Sequence, residues 1–204
     1  AGDSYAHVVG LMPALRSVPR VVATQTIAPS TAKRAHQNFR HLRDLGFRRF
    51  NFLPGYYIPW KEEQLLHLRA SFDNIAADVR SAWSAGESLY VRNLFTYVPT
   101  TFFNSGLVVD SDRTIHPSNV GLSGALEGLL EQTRIGSLDD PPSAEALAAK
   151  GAEVNGLLER ALAPGVMAAT RRADLELSRF CRGLYPSYLA HRAQKRPGAQ
   201  VLAR

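Results

Sequence analysis

The stretch "RVVATQTIAPSTAKRAHQNFRHLRDLGFRRFNFLP", residues 20–54, decides the fold class. Its first eight residues are rich in β-branched side chains, which is typical of a buried parallel strand. Ser30 and Thr31 predict the start of a helix, because their hydroxyls can cap the N–H groups of a first helical turn. Gly46 ends that helix, and residues 47–54 form the next strand. The order strand, helix, strand requires parallel strands and predicts an α/β protein.

This unit and the later run of residues 89–94 together predict a sheet. Residues 21–27, 49–53 and 89–94 are expected in one sheet, with the first two strands parallel and adjacent. The helix over residues 31–45 is expected to cover one face of it through Phe39. Loops after the carboxyl ends of parallel strands are where α/β proteins place their sites, so the loop after the second strand is the first candidate for function.

The rest of the chain predicts a second helix, a hairpin and two C-terminal helices. Residues 61–85 carry apolar side chains at helical spacing. In "FFNSGLVVDSDRTIHPSN" residues 106–109 are expected to pair antiparallel with residues 114–117, because Asp and Ser between them favour a turn. The helices are expected at residues 144–162, after a Pro-Pro-Ser start signal, and at residues 166–185.

Composition places the chain among ordinary globular proteins. It has 204 residues, of which 45% are hydrophobic, enough for one core and a small appendage. No apolar run approaches the length of a membrane span, and no signal-peptide pattern opens the chain. The single cysteine, Cys181, excludes an internal disulfide framework, so a reducing, cytoplasmic setting is expected.

Charge is concentrated at the C-terminal end. From Arg171 onward the chain holds eight basic and two acidic residues, and the remainder is balanced, which accounts for the net charge of +6. A neutral body has no electrostatic footprint for nucleic acid. The basic tail could contact an acidic partner, or it could be a solvated terminal helix.

Few residues predict chemistry by themselves. His116, Ser118 and Asn119 form a poor set for a transition metal, because imidazole and thiolate ligands are too few. Asp110 lies in the hairpin turn and is better explained as a turn residue than as a calcium ligand. Cys181 lies between Arg179 and Arg182, which could lower its thiol pKa, but a half-buried structural cysteine is the favoured interpretation.

The order of segments resembles the C-terminal half of a radical S-adenosylmethionine (SAM) protein of the sulfatase-maturase type. The motifs that carry the resemblance are "RVVATQTI", "LGFRRFNFLPGYY", "FFNSGLVVDSDRTIHPSN" and "RIGSLDD", within residues 20–140. The resemblance implies the C-terminal part of a partial (βα)₆ TIM-type barrel in residues 1–97. A SPASM- or twitch-like hairpin module lacking its cluster cysteines would follow in residues 98–142, and C-terminal helices with a basic tail in residues 143–204.

The same resemblance implies the chemistry of the full-length protein. It would cleave SAM reductively at a [4Fe–4S] cluster and abstract hydrogen from a substrate such as a peptide or protein. The family's Cys-x₃-Cys-x₂-Cys motif is not in this chain, and Ser118 and Asn119 stand where the family has a cluster cysteine and an acidic residue. This chain alone is therefore expected to bind neither cofactor, and its abrupt start favours truncation. Whether it is itself an enzyme stays open.

Site residues are carried over by position from the family. The resemblance assigns cofactor binding to Thr26, Ile27, Phe52, Leu53, Pro54 and Gly55. It assigns substrate binding to Tyr56, Tyr57, Trp60, His116, Ser118 and Asn119. No metal ligand is assigned. The alternative function is a non-catalytic module of the same fold that binds a peptide or protein on the same loop face.

Overall fold

The protein is described by a computed structural model that covers residues 4–18, 20–96, 108–116 and 130–195. The backbone divides into two compact units, one of Ala1–Tyr97 with Ala169–Arg204 and one of Val98–Ala168. The elements are, in order, α1 (Ser4–Gly10), α2 (Met12–Ser17), β1 (Ala23–Ile27), a 3₁₀ helix (Pro29–Arg34), α3 (Ala35–Asp44), β2 (Arg49–Pro54), α4 (Glu62–Ser84), β3 (Tyr90–Val91), α5 (Asn93–Thr96), β4 (Val108–Val109), β5 (Thr114–His116), α6 (Leu130–Thr133), β6 (Gly136–Ser137), α7 (Ala144–Ala161) and α8 (Val166–Gln194). The predicted three-part division into barrel, hairpin module and C-terminal helices stays a prediction.

The first unit contains a parallel sheet in the order β1, β2, β3. β1 and β2 are adjacent and parallel, with Ile27 opposite Pro54, which confirms the α/β class and the predicted pairing. The third strand is shorter than the predicted residues 89–94, because it ends at Val91 and the short helix α5 begins at Asn93. Three strands do not by themselves make the implied partial barrel, which stays a prediction.

Glycine ends α3 and α4, the two helices that lead into β2 and β3, and at Gly46 the sequence predicts this end. After α3, Gly46 has a φ of 100°, its N–H donates to the Arg43 carbonyl, and the N–H of Phe47 donates to the Leu42 carbonyl at 3.1 Å. This pair of bonds satisfies the last carbonyls of the helix and needs a left-handed residue. Gly86, with a φ of 79°, makes the same arrangement after α4.

Aromatic rings form the centre of the first unit's core. Phe39 of α3 meets Phe50 of β2 with ring centroids 4.8 Å apart, and Phe52 of β2 meets Phe180 of α8 at 5.6 Å. Phe180 also stacks on Phe72 of α4 at 5.0 Å. These separations suit edge-to-face and offset stacking. Helices α3, α4 and α8 therefore pack on one face of the sheet, and the prediction that Phe39 is buried is confirmed.

The opposite face of the sheet is more accessible along β1 and β2. Thr24 and Thr26 of β1 are exposed, whereas Asn51 and Leu53 of β2 are half-buried. Successive side chains of a strand point to opposite faces, so these four residues share the face away from the helices. A ligand could therefore approach the sheet from this side.

Helix α8 is longer than the predicted residues 166–185. Pro186 lies inside the helix, where its ring removes one backbone hydrogen bond and normally favours an end. The turns beyond Pro186 pack on Trp83 of α4, with ring centroids 5.8 Å away for Tyr188 and 5.7 Å for His191. Tertiary packing of these rings overrides the local signal to stop.

An ion-pair network joins α4 to α8. Arg69 donates three hydrogen bonds from two of its nitrogens to the mostly buried Glu176, the shortest at 2.6 Å. Arg179 donates to Glu176 at 3.1 Å and to Asp73 at 2.9 Å. A bidentate guanidinium–carboxylate contact fixes orientation as well as distance. The network holds α8 in a defined register against α4.

The second unit contains a small antiparallel sheet. Val108 pairs with His116 around the turn at residues 110–113, which confirms the hairpin where it is described. Arg113 has a φ of 72° and its N–H donates to the Asp110 carbonyl, as in a type I turn followed by a left-handed residue. Strand β6 adds to β5, a pairing that the sequence analysis did not predict. No helix in the described ranges is both long and apolar enough to cross a membrane.

Candidate functional site

The carboxyl edge of β1 and β2 is held together through Gly55. Its N–H donates to the Ile27 carbonyl at 2.8 Å, and its carbonyl accepts from the indole N–H of Trp60 at 2.8 Å. A Cβ at Gly55 would lie 2.5 Å from Cδ1 of Ile58, so the Ile58 side chain packs closely on the backbone of Gly55. Gly55 thus joins the ends of two strands to a nearly buried tryptophan.

The two tyrosines that follow are fixed by α8. The N–H of Tyr57 donates to the Thr170 hydroxyl at 3.0 Å, and the Tyr56 hydroxyl donates to Asp174 at 3.3 Å. Tyr57 has a φ of 60°, an uncommon conformation for a residue with a large side chain, and such strain often lies at functional loops. Burial raises the pKa of Tyr57 well above its usual range, so its phenol stays protonated.

The residues predicted to bind a cofactor lie together at this edge, but they present different groups to it. Thr26 is exposed and Leu53 is half-buried, and both side chains lie on the accessible face. Ile27 and Phe52 are fully buried in the core, and Pro54 is also buried. Side-chain contact with a ligand is therefore open to Thr26 and Leu53, whereas Ile27 and Phe52 position the edge from beneath. Their direct binding of a cofactor stays a prediction.

Asn93 supports this edge and was not among the predicted site residues. Its amide oxygen accepts from the Phe52 N–H at 2.8 Å, and its amide nitrogen donates to the Phe52 carbonyl at 2.9 Å. Where β3 ends, the Asn93 side chain therefore takes the place of a strand backbone in bonding to β2. The signal in the sequence was an asparagine inside an apolar run, since asparagine often bonds to backbone groups.

His116 belongs to a hydrogen-bond network inside the hairpin unit. Only 2% of it is exposed, and its ring nitrogens lie 3.2 Å from the Thr114 hydroxyl and 3.0 Å from the Thr133 hydroxyl. Thr114 in turn donates to Asp112, and this hydrogen bond lowers the pKa of the carboxyl. Ser118 and Asn119 lie outside the described residues, so the predicted substrate contacts of the three stay a prediction.

The chain's residues do not fit an iron–sulfur cluster. Such a cluster needs several thiolates, and the sequence has one cysteine. Burial, with a smaller effect of the Asp174 charge, raises the pKa of the Cys181 thiol to about 12. The alternative that the flanking arginines lower this pKa does not hold, and the favoured structural interpretation agrees with the buried side chain. Among the described residues there is no group of three metal-ligating side chains.

Comparison with solved structures shows the fold. "Native anSMEcpe with bound AdoMet" and "Native anSMEcpe with bound AdoMet and Kp18Cys peptide" align with TM-scores of 0.50 at 12% identity, over 84% and 85% of this chain. A histidine-tagged form of anSMEcpe with bound AdoMet aligns with a TM-score of 0.52 at 11% identity, over 85%. This chain spans 57% of the length of each of those chains. Neither a protein-family model nor a curated protein matches the sequence.

These neighbours are structures of a radical SAM enzyme, an anaerobic sulfatase-maturating enzyme. The likeness shows that this chain shares the fold of the aligned part of those chains. An identity of 11–12% transfers no residue roles, so the reaction, the substrate and the cofactor contacts of this chain remain to be argued from its own geometry.

Proposed function

We propose that this chain forms the C-terminal part of the catalytic barrel of a radical SAM enzyme, and that the carboxyl edge of β1 and β2 binds AdoMet. The observation that carries the proposal is the parallel β1–β2 pair, whose carboxyl edge combines an accessible face with a loop fixed by Gly55. Ligands of α/β sheets bind at this edge. The fold neighbours, which contain AdoMet, support the choice of ligand.

Thr26 and Leu53 are the side chains best placed to contact the ligand. The exposed hydroxyl of Thr26 can exchange hydrogen bonds with a ribose or an adenine edge, and Leu53 offers apolar surface for the adenine ring. The hydrogen bond from the Gly55 N–H to the Ile27 carbonyl keeps the loop close to the sheet, and a Cβ at this position would first meet the tip of the Ile58 side chain. When bound, AdoMet would supply the adenosyl group that takes hydrogen from a substrate.

The cluster that such chemistry requires must be held by thiolates from outside this chain. Cys181 is buried, protonated and alone, so it cannot hold one. Under the proposal this chain by itself binds and orients AdoMet and the substrate, in place of the sequence-based expectation that it binds neither cofactor alone. Other residues of the full enzyme carry the cluster. The partial barrel, completed by strands beside the free edge of β1, belongs to the same proposal.

A peptide is the proposed substrate class. One of the fold neighbours contains a peptide together with AdoMet. In this chain Tyr56 and Tyr57 form an aromatic pair with centroids 6.5 Å apart, next to the proposed cofactor edge. Trp60 supports that loop from beneath, since its indole N–H is bonded to Gly55. Aromatic surface of this kind suits the side chains of a peptide. The assignment of His116, Ser118 and Asn119 to substrate binding by family resemblance stays a prediction.

Two matched substitutions test the cofactor edge. Thr26→Arg places a long side chain at the edge, whereas Thr24→Arg makes the same change on the same strand and face, about 7 Å further from it. Both positions are exposed, so both variants should fold. In equilibrium dialysis with labelled AdoMet, T26R is expected to bind at least about tenfold more weakly than the unmodified chain, a loss of about 1.4 kcal/mol. T24R should bind within about threefold of it, a difference below about 1 kcal/mol.

Other outcomes decide against the proposal. An equal loss of AdoMet affinity in T26R and T24R would show that the added charge, rather than its position, weakens binding. No AdoMet binding by the folded chain, together with saturable binding of a peptide, would favour the alternative of a non-catalytic binding module.

A further inference from the structure

We infer that a cleft at the amino edge of the first unit's sheet binds the phosphate group of a small molecule. The cleft has a volume of about 450 Å³ and lies where β2 and β3 begin. This volume is in the range of small-molecule sites. The lining residues that carry the inference are Arg48, Arg49, Tyr90, Tyr188, Arg192 and Lys195. We call this site the amino-edge cleft.

The cationic side chains of the amino-edge cleft are not directly paired with carboxylates, although Arg48 also lines a neighbouring cleft that contains Asp44 and Glu87. Four of its side chains are cationic, and none of its lining residues is Asp or Glu. Arg48 donates to the carbonyls of Arg43 and Phe47 at 3.0 and 2.9 Å, and Lys195 donates to the Ser88 hydroxyl at 2.7 Å. These neutral partners orient the cations but leave their charge in place. Within the described part of the chain, no carboxylate lies within ion-pair distance of the four.

Arg49 is already positioned for an anionic ligand. It is the first residue of β2, and its guanidinium lies 4.0 Å from the centroid of the Tyr90 ring on the neighbouring strand. This cation–π contact fixes the plane of the guanidinium. Its Nε is buried and has no hydrogen-bond partner among the described residues. The Nε itself is too buried to reach a ligand, but the guanidinium forms no ion pair among the described residues and lines the cleft, so its charge is available to an oxyanion there.

Phosphate is the chemistry that fits these side chains. Guanidinium groups bind phosphate oxygens with paired hydrogen bonds, and a lysine ammonium adds a point charge. The rings of Tyr90 and Tyr188 give the cleft flat apolar surface, and its volume leaves room beyond one phosphate group. The phosphate could come from free pyrophosphate or from a nucleotide.

This site is separate from the proposed AdoMet edge. Arg49 begins β2 and Pro54 ends it, so the two sites are about 17 Å apart along the strand. AdoMet should therefore not compete with a phosphate ligand, and the inference stands or fails independently of the proposed function.

The test is calorimetric titration of the whole chain with inorganic pyrophosphate and with ATP at about 0.15 M salt. Arg49→Gln is expected to weaken binding at least about tenfold, because it removes a charge-assisted hydrogen bond. A second variant, Arg192→Gln with Lys195→Gln, changes two exposed residues and should weaken binding similarly without loss of fold. Circular dichroism checks the fold of each. Tighter binding of ATP than of pyrophosphate would assign the phosphate to a nucleotide, and equal binding would assign it to the free anion.

The matched control is Arg182→Gln, an exposed residue of α8 that does not line the cleft. It removes one positive charge from the same helix and should leave affinity within about twofold, as expected for a distant surface charge. The inference is overturned if neither pyrophosphate nor ATP saturates at millimolar concentration, or if R182Q weakens binding as much as the cleft variants. It is also overturned if single-stranded RNA binds more tightly than ATP through the same residues.

Discussion

Replacing Asn93 with alanine should destabilise the first unit strongly. The side chain is 4% exposed and makes both hydrogen bonds to the backbone of Phe52, at 2.8 and 2.9 Å. In Asn93→Ala the N–H and the carbonyl of Phe52 lose these partners inside the core. Each unsatisfied buried group costs about 1–3 kcal/mol, so we expect a loss of about 3 kcal/mol in the free energy of unfolding. That is a large share of the roughly 5–15 kcal/mol typical of a domain.

The measurement is urea denaturation followed by circular dichroism and tryptophan fluorescence. The matched control is Asn74→Ala, which removes the same amide from an exposed position on α4 and should change stability by about 0.5 kcal/mol or less. The variant Asn93→Asp distinguishes the contributions of the two hydrogen bonds to Phe52. Its carboxylate can accept from the Phe52 N–H but faces the carbonyl without a proton to donate. N93D should therefore be less stable than the unmodified chain at pH 7, and the gap should narrow as the pH is lowered.

The reasoning is refuted if N93A loses less than about 1 kcal/mol. A loss that is equal in N93A and N74A would also contradict it, because only one of the two amides pairs with the sheet. If the difference in free energy of unfolding between N93D and the unmodified chain did not change with pH, donation to the Phe52 carbonyl would be unimportant.

Two further predictions concern titratable groups. Burial alone would raise the pKa of Glu176, but the hydrogen bonds from Arg69 and Arg179 outweigh it and hold that pKa below its usual range. A depressed folded pKa gives stability above the unfolded pKa of about 4.3, so Glu176→Gln should cost about 1 kcal/mol at pH 7. This cost should disappear as the pH falls through the lowered folded pKa, in denaturation curves at a series of pH values, and a constant cost would argue against it. Cys181, with a pKa raised to about 12, should react with a thiol reagent at pH 8 only after urea is added, and fast labelling of the native chain would contradict its burial.

Local sequence signals were sufficient for the β1–α3–β2 unit. The β-branched run of β1 and the glycine at position 46 each act within a few residues, and Gly46 makes the helix-ending bonds that its position predicted. The apolar stripes of α3 and α4 also follow from spacing alone, and Phe39 and Phe72 are fully buried as expected.

Elements that depend on distant partners were not predictable in the same way. β3 looked longer because its apolar run continues through Leu94, but the Asn93 side chain takes over the pairing with β2. β6 has two residues, too few for any periodicity, and forms only because β5 is beside it. The last turns of α8 follow Pro186, and only their packing on Trp83 keeps them helical.

The candidate site shows the same division. Strand order predicted the loop after β2 as the candidate site, since parallel strands bring their carboxyl ends together, whereas Thr26 was assigned to a cofactor only through the family resemblance. Sequence could not show that Thr170 and Asp174, more than a hundred positions away, fix the two tyrosines of the loop. These contacts depend on the register of α8, which a long-range ion-pair network sets.

The most direct test of the central claim is a map of where AdoMet touches the chain. An AdoMet analogue with a photoreactive azide on adenine would be irradiated with the folded protein, and the labelled peptides identified by mass spectrometry. If the carboxyl edge of β1 and β2 binds AdoMet, labelling is expected within residues 26–27 and 52–57. Excess AdoMet should suppress this labelling, which should be reduced in T26R but retained in T24R. Suppressible labelling confined to α7, or to residues 188–195 beside the amino-edge cleft, would contradict it.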